Sequence, residues 1–386
     1  ATTVQGDATL GLARTAANAA VPGALVVAGN GAVSLAASEQ IADGATVTLD
    51  SRGHGGAAGL SFAAPGLTET IGALQGSGTV GLAGSTLAVG AGNFAGTLAD
   101  GAATGGQLEK TGAGALVLSG ANSYSGATTV RAGTLQAGAA NAFSANSAHT
   151  VAAGATLYAA GFSQAPAALD NGGTVSLVGA APGTDLTVRG AYVGRNGVLR
   201  LGTALTASGP SDRLVLDGTG ASASGQTSVQ ITQLGGLGAL TTGNGIEVVA
   251  ARNGASTTPH STKDAFALAG GHVDAGAYEY RLFAADAAGA GESWYLRSAL
   301  RPAHAEVPPP NPGAPVKPGD PVLQAPEVPL YRAEVPLLAA VPAQLRQADS
   351  AMLSNMHRRT GDDDARVPGL TLGEQRAWAR LIGAGL

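Results

Sequence analysis

Residues 106–138 read GQLEKTGAGALVLSGANSYSGATTVRAGTLQAG, and this stretch limits what the chain can fold into more than any other. Three short runs, Ala115-Leu116-Val117-Leu118, Thr128-Thr129-Val130 and Thr134-Leu135-Gln136, are each closed by Gly or by an Asn-Ser pair. Runs of this length, rich in Val, Leu and Thr and bounded by Gly and Asn, predict strands with tight turns. They follow one another too closely for crossover helices to fit between them. Stacked strands joined only by turns make a β-solenoid, in which each coil buries its apolar side against its neighbours.

The pattern recurs from residue 1 to about 200. It is seen in Ala45-Thr46-Val47-Thr48-Leu49, Thr86-Leu87-Ala88-Val89, Thr174-Val175-Ser176-Leu177-Val178 and Gly197-Val198-Leu199-Arg200-Leu201. Asn-Gly pairs at 30–31, 171–172, 196–197, 244–245 and 253–254 supply the positive φ that sharp corners need. A coil of a three-sided solenoid takes on the order of 20 residues, so this region holds roughly ten. Composition agrees. The 60 Gly in 386 residues are about twice the usual share, and charged residues make up only 12%. A disordered chain is normally rich in charge and poor in Val, Leu and Ile.

Residues 201–298 have longer strands, such as Asp212-Arg213-Leu214-Val215-Leu216-Asp217, and gather the aromatics Tyr278, Tyr280, Phe283, Trp294 and Tyr295. An open last coil needs a cap over its edge, and these large side chains are placed to form one. From Pro302 to Pro342 the chain carries 12 of its 19 prolines, which predicts a stiff linker over 299–336. Pro342 sits where a helix could begin, and Leu345, Met352 and Met356 follow on one face, giving a short helix over 337–361. Asp362-Asp363-Asp364 reads as a solvated loop. Arg376 to Gly383 alternates like a strand and stops without a partner, so 362–386 looks like a domain cut as it begins.

Net charge is −5 and the only adjacent basic pair is Arg358-Arg359, which argues against nucleic acid. No apolar stretch approaches a membrane helix. There is neither an initiator Met nor a basic-then-apolar leader, so the chain is expected to begin after processing or to be a fragment. Cysteine is absent, as suits passage through an oxidising compartment in an unfolded state, although a solenoid also needs no staples.

GQLEKTGAGALVLSGANSYSGATTVRAGTLQAG is similar to the strand repeat in passenger domains of Gram-negative autotransporters. Residues 211–298 resemble the pertactin-like C-terminal region of those passengers, the autochaperone. YRAEVPLLAAVPAQLRQADSAMLSNMHRRTGD resembles the segment that threads the translocator barrel, and RAWARLIGAGL the start of its first strand. The resemblance implies a right-handed parallel β-helix. It also implies export through the chain's own translocator β-barrel with the outer-membrane assembly machinery, and a place on the bacterial surface or release from it. Adhesion or immune evasion is the implied activity, with Tyr278, Tyr280, Phe283, Trp294 and Tyr295 nucleating folding. Some family members are proteases, so a stem beneath an upstream serine protease domain is the alternative. In some autotransporters an Asn in the barrel helix cyclises to release the passenger, which makes Asn355 a candidate cleavage site.

No catalytic, cofactor or metal site is expected. Gly76-Ser77-Gly78-Thr79-Val80-Gly81 matches GxGxxG, but a strand follows it where a dinucleotide would need a helix. No GxSxG elbow occurs, and the six His are scattered. Asp43, Asp50, Asp100, Asp170 and Asp185 read as turn residues accepting backbone N–H bonds. Ser51-Arg52-Gly53-His54-Gly55-Gly56 reads as an exposed loop, and no Arg-Gly-Asp is present.

Overall fold

The computed structural model describes residues 1–15, 20–51, 58–258, 262–300 and 328–360, with side chains as far as 355. The loop expected at 51–56 beyond its first residue, most of the Pro-rich segment, and the strand expected at 376–383 lie outside these residues. The described chain falls into two units, Ala1–Tyr331 and a second unit that begins at Arg332.

The first unit is a parallel β-helix. One continuous ladder runs through Thr2–Val4, Leu25–Ala28, Thr46–Asp50, Thr68–Gly76, Thr86–Phe94, Ala115–Leu118, Thr134–Ala137, Thr156–Tyr158, Thr174–Ser176 and Ala191–Thr203. Every pair in it is parallel, and Ser222–Gln233 and Phe266–Leu268 extend it. The break expected at residue 200 therefore falls inside a strand, and parallel stacking continues past it. Along Leu25–Ala28, Thr46–Asp50, Ala115–Leu118, Thr134–Ala137 and Thr156–Tyr158 alternate residues are buried, so like stacks on like. Leu116, Leu135, Leu157, Val175 and Leu199 form one file of fully buried aliphatics in register. Each such side chain contributes roughly 1.5–3 kcal/mol through burial.

A second face carries Gln107–Lys110, Thr128–Val130, Ala148–Val151 and Ala168–Asn171. The third begins as a five-stranded parallel sheet from Thr9–Leu12 to Thr97–Ala99, and resumes at Asp185–Val188 and Arg213–Asp217. Between residues 99 and 185 this face has no strand among the described residues. Buried amide side chains take over the ladder there. Leu98 N donates to Asn122 Oδ1 (2.7 Å), Asn122 Nδ2 to Ala142 O (2.6 Å), Phe143 N to Gln164 Oε1 (3.0 Å) and Gln164 Nε2 to Ala139 O (2.7 Å). A buried backbone group must find a partner, and these side chains supply it where the corner is too irregular for a strand.

The abundance of glycine has a concrete cause. Gly44, Gly72, Gly90, Gly112 and Gly133 form a column at one corner, each lying against the backbone of the one before. A Cβ at Gly72, Gly90, Gly112 or Gly133 would sit 2.4–2.6 Å from the preceding glycine's carbonyl oxygen. No side chain fits that approach.

The second unit contains the helix Glu334–Thr360. It starts three residues ahead of the 337 expected, and Pro342, read as lying near its beginning, falls inside it. Pro336, in the first turn, occupies the position where a missing N–H costs nothing, with Glu334 beside it complementing the dipole. Pro342 is accommodated inside the helix at the loss of one internal bond. No helix of the described residues is long and apolar enough to cross a membrane, which says nothing of a β-barrel.

Candidate functional site

The parallel stack changes character at Ile246–Arg252. This strand pairs in parallel with Arg213–Asp217 on one side and antiparallel with Trp294–Arg297 on the other. Trp294–Arg297 in turn pairs antiparallel with Tyr278–Ala284, and that strand with Val273–Ala275. An antiparallel meander thus lies against the last parallel rung of this face and ends its growth.

The five aromatics singled out from the sequence all lie in this cap, with different partners. Trp294 is buried, donates from Nε1 to Thr257 Oγ1 (3.1 Å), and meets Phe266 edge-on at 5.4 Å between centroids. Phe266 also stands 5.7 Å from Tyr192, so an aromatic file runs from the cap into the parallel rungs. Such pairs add about 0.5–1.5 kcal/mol beyond burial. The Tyr280 ring is buried, and its hydroxyl donates to Ala239 O and accepts from Ala239 N, both at 2.8 Å. Phe283 and Tyr295 share one cation. The Arg297 guanidinium lies 5.4 Å from each ring centroid, and donates to Ala285 O (2.6 Å) and Asn244 O (2.8 Å). Tyr278 is half-buried, its ring 5.4 Å from Tyr331. Glu292 closes the cap by accepting from Thr257 N (2.7 Å) and Thr258 Oγ1 (2.7 Å); those bonds hold its carboxyl below the usual range despite the opposing effect of burial.

The sequence missed Tyr192, Phe266, Arg297 and the Thr257–Glu292 link. Phe266 stands alone in AFALAGG, so no local pattern signals that it joins two clusters distant in sequence.

Two stretches match family profiles. Residues 169–282 match the Autochaperone Domain Type 1, and residues 108–137 the Passenger-associated-transport-repeat. Among relatives, the Adhesin BmaC autotransporter of Brucella suis biovar 1 (strain 1330) is 30% identical over 414 aligned residues, which cover 82% of this chain and 11% of that protein. Probable autotransporter YfaL of Escherichia coli (strain K12) is 38% identical over 145 residues, 37% of this chain and 10% of its own length. The chain is an autotransporter passenger.

The repeat profile falls within residues 106–138, whose short runs and tight turns predict the solenoid. The autochaperone profile begins at 169, upstream of the 211 expected, and so takes in parallel rungs as well as most of the cap. The passenger spans about a tenth of those two relatives' length. Family membership places it at the outer membrane and cell surface, from which passengers are sometimes released, and implies a translocator barrel and outer-membrane assembly.

Elsewhere the passenger's polar residues are tied into structure. Gly76–Gly81 runs from the end of one strand into the next, as a dinucleotide loop would not. Asp100 accepts from Gly106 N (2.9 Å) and Ser125 N (3.0 Å), as a turn residue should. Asp50, Asp170 and Asp185, expected in turns, are on strands, and Asp170 and Asp185 form ion pairs with Arg195 (2.7 Å) and Arg213 (2.9 Å) on the next coil. His149 is fully buried against Phe143, with Nδ1 at 3.0 Å from Ser147 O and no partner at Nε2. Burial lowers its pKa to about 4, the Ser147 carbonyl opposing. Glu69, also buried, accepts from Gln40 N (2.8 Å) and Ile41 N (2.7 Å). Burial raises its carboxyl to about 7, against those two hydrogen bonds. Lys110 points inward and caps Gly112 O and Ala132 O, burial lowering its pKa.

One group of described residues, His272, Asp274 and Glu279, brings three ligand atoms within 4.8 Å of one another. Glu279 is already paired with Arg281, and His272 and Asp274 are exposed, so the trio reads as a charged surface of the hairpin. Asn355 lies within the helix and is half-buried.

Proposed function

We propose that this passenger is non-enzymatic, acts outside the cell as an adhesin or immune-evasion factor, and carries in its cap the nucleus from which it folds during export through its own translocator barrel. The observation that carries the folding part is the file Tyr192–Phe266–Trp294, which joins a locally paired meander to the last parallel rungs. The meander needs only near neighbours in sequence, and contacts of that kind form fastest. Each upstream coil then finds a finished edge to pair with, and its burial draws the next one outward. The adhesive part is supported by the likeness to the Brucella protein, whose name describes it as an adhesin.

The test is a displayed passenger carrying Trp294→Ala. Removing a buried Trp costs about 3–5 kcal/mol, and the expected result is a large drop in protease-resistant passenger at the surface. Undiminished resistant display would refute nucleation at this site. For adhesion, bacteria displaying the chain on a heterologous barrel should bind host cells several-fold better than those displaying the barrel alone. Equal binding would remove the adhesive reading and leave the folding one standing.

A further inference from the structure

Residues 298–300 and 328–331 lie on either side of the Pro-rich stretch, and they meet. Ala299–Leu300 pairs antiparallel with Val328–Pro329, Ala299 opposite Pro329 and Leu300 opposite Val328. Leu330 N donates to Ser298 O (2.7 Å), and Glu279 N donates to Leu330 O (3.0 Å). Tyr278 and Tyr331 then form an antiparallel bridge with their rings 5.4 Å apart. Ser298 is buried and fixed to the body of the cap. Its Oγ accepts from Thr241 N (2.8 Å) and donates to Ala239 O (2.8 Å), and its N–H donates to Thr241 Oγ1 (3.0 Å).

We infer that 328–331 is the cap's own edge strand, docked between Ser298 and Tyr278, so that the solenoid is tethered to the helix through Tyr331 and not through the Pro-rich length. As an extended linker, 301–327 could span roughly 80 Å. Strand pairing holds its two ends about 5 Å apart. The covalent path into the helix-bearing unit leaves from Tyr331, whatever the length of the proline-rich stretch. Two features suit this role. The docked strand covers the otherwise open edge at Tyr278, which a sheet end needs. Its contacts are mostly backbone bonds, which accept little sequence information and need no large side chain.

The chain has no cysteine, which makes the test clean. Leu300→Cys with Val328→Cys places two thiols on facing, exposed positions at a separation suited to a disulfide. Under mild oxidation the full chain should close this ring at least tenfold faster than the same pair carrying Leu330→Pro, which removes the N–H that donates to Ser298. Equal rates in the two would overturn the docked strand. In a second variant, 302–326 is replaced by Asn-Gly, which turns the clasp into a hairpin. It should keep the protease-resistant body through Tyr331 unchanged, whereas loss of that body would mean that the proline-rich length is itself required. Neither measurement involves export or adhesion, so failure here is separable from failure of the proposed function.

Discussion

At the scale of single residues, the interior of this solenoid is more polar than its strand sequences suggest, and two buried groups titrate in opposite senses. His149 has a pKa of about 4 in the folded chain against an ordinary 6.5, so the unfolded chain takes up a proton first as pH falls from 6.5 to 4. Stability is lost across that window, by about 3 kcal/mol. Glu69 has a folded pKa of about 7 against 4.5, so its contribution is complete below 4.5 and is lost as pH rises through 7. The two largely offset each other between 4.5 and 6.5. His149→Phe, beside Phe143, should therefore expose the Glu69 term and yield a chain whose denaturation midpoint rises on acidification over that range. A midpoint that still fell would mean that His149 is not the group that charges. The glycine corner offers a sharper contrast. Gly90→Ala drives a Cβ to 2.5 Å from Gly72 O, backbone that cannot turn aside. It should cost about 1–3 kcal/mol, while Ala at Gly11, where nothing lies within 4 Å, should be tolerated in the same denaturation series.

At the scale of elements, the strands were legible because alternation and length suffice to define them. Ala115–Leu118, Thr128–Val130 and Thr134–Ala137 sit where their sequences put them. The gap in the third face was not legible. Asn122 and Gln164 look like turn residues, and only the three-dimensional stack reveals that they replace ladder bonds. Tyr124 was likewise hidden in a turn-like ANSYSG, yet it is fully buried, its hydroxyl 2.7 Å from Thr128 Oγ1. The helix begins three residues before the 337 expected because Pro336, and not Pro342, is the proline in its first turn. Asn122→Leu should strand Leu98 N–H and Ala142 C=O, costing about 2–4 kcal/mol. The loss should register as faster hydrogen exchange at Leu98 and its immediate neighbours, not across the whole ladder. Uniformly faster exchange would mean that the amide serves the entire fold and not this corner.

At the scale of the whole solenoid, stability is a sum over neighbouring coils, so the two ends need not be equal. Among the described residues the early rungs Thr2–Val4, Leu25–Ala28 and Thr46–Asp50 are joined only by parallel pairing over three or four register positions each. The other end is closed by a meander, three cross-linked aromatics and an arginine shared between two rings. Opening should therefore begin among the early coils and reach the cap last. Limited proteolysis of the purified chain should trim from the low-numbered end and leave a resistant fragment that contains Tyr192, Phe266 and Trp294. Trp294→Ala should reverse this order, because removing it breaks the file that joins cap and rungs, and the later coils should then be cut before the first. If the variant is still digested from the low-numbered end, the extra stability of the cap comes from backbone pairing and the aromatic file is incidental. If the order reverses, the residues that make the cap hard to open are also those best placed to make it the first part to close, which is what a chain folding as it emerges from a pore requires.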